Sequence, residues 1–198
     1  MQAIVFCDVT DPWSYVGVVR LERAAATLTI LTGEPLELSY RAAVPSRLAE
    51  AGEVAAAARI TGIELNVDDV VPADSTDAWR LLTWAAESGG PVQRDLLHQL
   101  WRAHLLEGAD VSDPLVLATR AALVGLDLET ADGLLASEEY RDEVALQRET
   151  AASLEITELP HVVVESRWTL AGVQSQDDYV QALHRTYSAW HEETAGGE

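Results

Sequence analysis

Asp11-Pro12-Trp13-Ser14 sets a carboxyl and a hydroxyl three residues apart, with an indole between them, where an apolar run gives way to a helical pattern. Asp is a favoured N-cap and Pro loses no hydrogen bond in a first helical turn, so the tetrapeptide reads as the start of a helix. There the free amides and the positive dipole end favour the charged carboxylate. That predicts a lowered pKa for Asp11 and weights capping over general-base work. Asp11 and Ser14 remain the candidate catalytic pair, placed to orient a hydroxyl or cation of a ligand. Pro12 and Trp13 are candidate contacts on the exposed first turn. Cys7 is the one cysteine. A single thiol closes no intrachain disulfide and turns no dithiol cycle. Strand alternation groups it with Val5 and Val9, which predicts a small buried side chain.

Glu158-Leu159-Pro160-His161 brings a proline and a histidine to the head of an apolar strand. His161 there serves either as an acid or base or as a hydrogen-bonded strand residue. His98 and His104, six apart, share no helix face and have no cysteine to support them, so no metal site is expected. All 13 basic residues are arginine, which removes Schiff-base chemistry and a phosphate-loop lysine. No glycine-rich phosphate loop follows the first apolar run. With 33 acidic residues the formal net charge is −20, which excludes nucleic acid and anionic membrane as partners.

The elements that must hold these residues follow from periodicity. Ile4 to Cys7 is a short β-rich run, and Val16, Val19, Leu21, Ala24, Ala25 and Leu28 carry a helix from Asp11 to a stop at Gly33. Leu36 to Tyr40 alternates as a strand does, completing a βαβ unit. From residue 45 to 154 the pattern is helical throughout. It begins with an alanine-rich helix from Ser46 to Ile60 and passes through stripes at Trp79–Ala86 and Val92–Leu105, the latter stopped by Gly108. Ser112-Asp113-Pro114 opens a fourth helix, and Asp127–Leu135 and Glu138–Ala152 complete the set. Val-rich His161–Glu165 and Arg167–Leu170 then form a hairpin turning at Glu165-Ser166. Ser175 with Asp178 is a near capping box for a last helix bearing Tyr179, Leu183, Tyr187 and Trp190. A frayed tail is expected from Thr194. The start of the chain carries no basic, apolar leader, and no window approaches the ~20 apolar residues of a membrane span, so a cytoplasmic location is expected.

This order, βαβ then helices then ββα, resembles the DsbA-like thioredoxin superfamily, and specific residues carry the likeness. Phe6 to Gly17 resembles the family's strand, active site and helix, with C-x-x-C altered to D-x-x-S at Asp11 and Ser14. Glu158-Leu159-Pro160 resembles its cis-proline segment, and Ala171-Gly172-Val173-Gln174 the small-residue turn before the last helix. Ser75–Leu82 and Leu106–Asp113 resemble the helical insert of the FrnE-type, kappa-class glutathione transferase and 2-hydroxychromene-2-carboxylate isomerase branches. The resemblance implies an α/β thioredoxin fold with a helical domain inserted after the second strand: residues 1–44 plus 155–198 as the thioredoxin-like domain and 45–154 as the insert.

It also implies a cleft between the two parts. Asp11, Trp13, Ser14, Leu159 and Pro160 would form its floor, Trp79 its wall, and His161 would lie beside it. Such an aromatic cleft suits a flat small organic ligand. The expected function is an isomerase- or transferase-like conversion of that ligand by a protein lacking the redox dithiol. A non-catalytic module for a peptide or protein is the alternative, and thiol-disulfide exchange fails on the count of sulfurs. No cofactor is expected: a carboxylate at Asp11 raises rather than lowers the pKa of a neighbouring thiol, which disfavours glutathione or mycothiol. A homodimer is implied by the FrnE-type likeness.

Overall fold

Strand β1 (Gln2–Cys7) is the element on which the others are registered. A computed structural model describes residues 1–44, 50–66 and 69–195. In it β1 pairs in parallel with β2 (Glu37–Ala42) and antiparallel with β3 (His161–Val164), which pairs with β4 (Trp168–Ala171). The sheet order is therefore β2-β1-β3-β4. Parallel neighbours need a crossover, and helix α1 (Pro12–Thr32) supplies it. The β3–β4 hairpin turns on Glu165 and Ser166, both at positive φ (48° and 55°), the backbone twist that two-residue hairpin turns favour.

Alternation along the strands decides which face meets which helix. Ala3, Val5 and Cys7 of β1, with Val162 and Val164 of β3, point into the main core, where Val18 and Leu21 of α1 and Tyr179 and Leu183 of the last helix, α8 (Gln176–Ala195), close over them. Phe6 points the other way and packs with Ala43, Ala151 and Leu159. Helix α1 is built as its sequence suggests: Asp11 caps it, Pro12 opens it, and Gly33 at φ 80° ends it.

Between β2 and β3 run α2 (Ala51–Thr61), α3 (Thr76–Glu87), α4 (Gly90–Trp101), α5 (Pro114–Leu123), α6 (Leu128–Leu135) and α7 (Arg141–Ser153). Helix α4 ends in a π-helical turn, Arg102–Leu106, before Gly108. The helix expected from Ser46 starts at Ala51, and residues 45–49 lie outside those described. At the C-terminus α8 continues through Ala195, and the rest of the tail expected to fray, residues 196–198, lies outside the described residues.

Two glutamines hold these helices against the outer edge of β2. Gln93 accepts from the Tyr40 amide at 3.1 Å and donates to its carbonyl at 3.0 Å, while Gln147 accepts from the Ala42 amide at 2.8 Å. Side-chain amides thus satisfy an edge that would otherwise pair with another strand. Arg80, fully buried, donates to the carbonyls of Leu134 (2.6 Å), Ser137 (2.8 Å) and Glu139 (2.6 Å) and fixes the end of α6.

Candidate functional site

The site is the junction where β1 ends and α1 begins. Asp11 accepts from the amides of Trp13 (3.3 Å) and Ser14 (2.8 Å) and from the Ser14 hydroxyl (2.7 Å). Those bonds favour the carboxylate, yet Asp11 is only 5% exposed, and burial outweighs them: its pKa is pushed up from 3.8 to about 6, with the charge of Asp8 adding to the rise. This corrects the expectation of a lowered pKa. An N-cap in solvent stabilises its charge, whereas this one is almost wholly withdrawn from solvent.

Asp11 opens onto a cleft of about 410 Å³. Trp13 and Arg20 of α1 line it together with Glu53 and Ala57 of α2 and the Thr157–Leu159 and Ala171–Gln174 segments. The Leu159–Pro160 peptide is cis. Pro160 lies so close to α1 that a Cβ on Gly17 would meet its ring carbons at 2.5 Å, so glycine is what lets this helix face reach the loop. Gly172, at φ 70°, holds the opposite rim. A larger groove of about 770 Å³ runs along β2 past Glu22, Tyr40 and Arg94, but it contains none of the junction residues.

The other candidates fall in different places. Ser14 is fully buried, so it lines no cleft; its hydroxyl donates to Asp11 and accepts from the Asp8 amide at 3.1 Å. Trp79 is a correction: it is fully buried in the core, its indole N–H donating to Asp8 at 3.1 Å, and the cleft wall it was expected to form comes from α2 instead. His161 is corrected too. Neighbouring Val162 and Val164 face the core, so strand alternation turns His161 to the far side of the sheet, outside the cleft, where burial lowers its pKa. Of the remaining residues, Leu159 lines the cleft, Pro160 is buried on Gly17, and Pro12 is half-buried beside the cleft. The Trp13 indole nitrogen is buried with no acceptor among the described residues.

Cys7 is wholly buried and burial pushes its thiol pKa up, the reverse of a reactive thiolate. No His, Cys, Asp and Glu cluster able to hold a metal occurs among the described residues.

Two residues of the site were missed. Arg20, a basic side chain among the described lining residues, gives its hydrogen bonds to neutral oxygens: Thr61 Oγ1 (2.7 Å), the Gln174 carbonyl (3.1 Å) and the Ala57 carbonyl (3.1 Å). Two arginines one turn apart in a mostly apolar helix, Arg20 and Arg23, were the available signal. Asp8 is the second, an acid directly after an apolar strand, only 2% exposed. Four neutral donors converge on its carboxylate: the Thr10 amide (2.8 Å) and hydroxyl (2.6 Å), the Ser75 hydroxyl (2.7 Å) and the Trp79 indole.

Comparison with known proteins agrees with this architecture. The family model described as DSBA-like thioredoxin domain matches residues 2–184. A probable DsbA oxidoreductase from Streptomyces coelicolor superposes with a TM-score of 0.83 at 26% identity, covering 95% of this chain and 90% of that one. The cytosolic disulfide reductase DsbM from Pseudomonas aeruginosa, solved with GSH, gives 0.69 at 21% identity over 95% and 100% of the two chains. A 2-hydroxychromene-2-carboxylate isomerase gives 0.69 at 16% identity over 100% of both. No curated protein is similar to the chain at a significant level.

Proposed function

Because the chain belongs to the DSBA-like thioredoxin family, we propose that it is a member turned from sulfur chemistry to proton transfer on a small organic molecule bound beside Asp11. The observation that carries this reading is a buried carboxyl with a pKa of about 6 on the wall of a 410 Å³ cleft. A base of that strength is half-charged at about pH 6 and mostly charged at neutrality, ready to take a proton and weak enough to return it. Asp11 removes a proton from one atom of the ligand and returns it to another atom of the same molecule, an isomerisation that consumes no electrons and needs no co-reactant. Ser14 donates to the carboxylate and holds its orientation, and Trp13 offers a flat apolar wall to an aromatic or polyketide-like ligand. Among the described lining residues, the carboxylates of Asp11 and Glu158 near Arg20 disfavour an anionic tripeptide in the same cleft.

The test is a thermal-shift and turnover screen with enolisable aromatic ligands on wild type, Trp13→Ala and Asp11→Asn. The expected result is stabilisation that Trp13→Ala abolishes, and conversion that Asp11→Asn reduces at least ~100-fold while binding persists. Equal stabilisation of all three proteins places the site elsewhere. Binding without conversion in wild type supports the alternative, a silent binding module. Disulfide exchange would have to run through buried Cys7; an insulin-reduction activity lost in Cys7→Ser contradicts the proposal outright. The proposal extends to a cytoplasmic homodimer, checked by fractionation and light scattering. Among the described residues no helix is long and apolar enough to cross a membrane.

A further inference from the structure

One hydrogen-bonded chain runs from the helices of residues 45–154 to the cleft. Arg148 of α7 donates to the Ser75 hydroxyl at 3.1 Å, and Ser75 and Trp79 of α3's start donate to one carboxylate oxygen of Asp8. Trp101 of α4 donates to the Asp8 carbonyl at 3.1 Å. The Asp8 amide then donates to Ser14 Oγ, whose own proton goes to Asp11. Three helices therefore converge on one residue, and that residue reaches the cleft acid through the Ser14 hydroxyl and through the Asp11 amide, which donates to the Asp8 carbonyl at 3.4 Å.

We infer that Asp8 is a positioning residue, joining the seat of the helical segment to the Ser14–Asp11 pair so that the two cannot be set independently. The inference rests on the reading of Asp11 as the working carboxyl. Geometry supports it at each step. Asp8 does not line the cleft, so it has no route to a ligand. Both its oxygens are engaged by donors it can only accept from, so it is fixed in place. Asp8 acts on Asp11 in two ways: the charge of its carboxylate opposes a second negative charge nearby, and its main-chain amide fixes the hydroxyl that donates to Asp11. The other charged or titratable groups facing this pair are Glu53, Glu158 and Arg20 across the cleft, Arg148 through Ser75, His104 from the π-helical turn, and Cys7. Among the described residues none of them hydrogen-bonds to both carboxylates, and the hydrogen-bonded link runs from the Asp8 amide through Ser14 to Asp11.

The test reads the Asp11 carboxyl directly, by carbon NMR titration of the ligand-free protein, in wild type, Asp8→Asn and Ser75→Ala. Asp8→Asn removes the neighbouring charge, the smallest of the causes acting on Asp11, and is expected to lower the Asp11 midpoint by less than about one pH unit. Ser75→Ala takes one of four donors from Asp8, leaves its field at Asp11 stronger, and is expected to raise the midpoint by a smaller step. Shifts of opposite sign from these two variants are not produced by loosened packing alone. If Asp11 titrates as in wild type in both variants, with native near-ultraviolet circular dichroism, the inference is overturned. Should Asp8→Asn fail to fold, Ser75→Ala decides: an upward shift supports the link and an unchanged midpoint refutes it. Because no ligand is present, the outcome does not depend on the proposed proton transfer, which the Asp11→Asn turnover test judges separately.

Discussion

Two carboxyls lie three residues apart in this molecule, both buried, and their surroundings differ. Asp8 sits on the seam with the helical segment and accepts four donors from Thr10, Ser75 and Trp79. Asp11 sits at the N-cap of α1, accepts three donors from Trp13 and Ser14, and borders open space. Burial of the same chemical group thus serves opposite ends. On the seam two of the four donors, Ser75 and Trp79, come from a distant part of the chain, so the acid is structural glue. At the cleft the donors are local and incompletely offset desolvation, so the acid holds its proton up to about pH 6.

The sharpest break between the two is in stability. Asp8→Ala leaves the Ser75 hydroxyl and Trp79 indole buried and unpaired, and is expected to cost about 3–5 kcal/mol, a fall in Tm of ~10 °C. Asp11→Ala at pH 8 loses a cap but also a buried charge, and is expected to cost about 1 kcal/mol or less. Thermal unfolding of the two variants side by side checks this; equal losses would erase the distinction.

The next effect is in pH. Asp11 has a folded pKa of about 6 against 3.8 unfolded. The folded state therefore holds the proton more tightly between those values. This contribution is fully present below pH 3.8 and is lost as pH rises through 6, a change of about 3 kcal/mol. Asp11→Asn removes it, so the stability of the variant relative to wild type should climb between pH 4 and 6 and then level. Urea unfolding across that range measures the difference, and a flat difference speaks against a raised pKa.

A smaller effect tests the contact that roofs the cleft. Gly17→Ala drives a methyl into the Pro160 ring, with expected destabilisation of about 2 kcal/mol and loss of any ligand-induced thermal shift. A neutral substitution would mean the loop moves freely off α1.

The parts of this picture that could be read from the residues are those set by local rules. Asp11-Pro12 and Gly33 bracket α1 because capping and left-handed glycine are properties of a few adjacent residues. The hairpin at Glu165-Ser166 and the alternation that hides Cys7 are local as well. What escaped were properties of tertiary packing. The sign of the Asp11 shift depends on what covers the cap, which no spacing within the tetrapeptide reports. Trp79 looked like a cleft residue because its partner, Asp8, is 71 positions away in the chain. Arg20 could not be placed opposite α2 before the path of residues 51–61 was known.

Titration of the Asp11 carboxyl in the wild-type protein, assigned by its absence in Asp11→Asn, tests the central claim most directly. The account predicts a midpoint near 6. A midpoint at or below about 4, where an ordinary aspartate titrates, would contradict it and leave the residue a helix cap and nothing more.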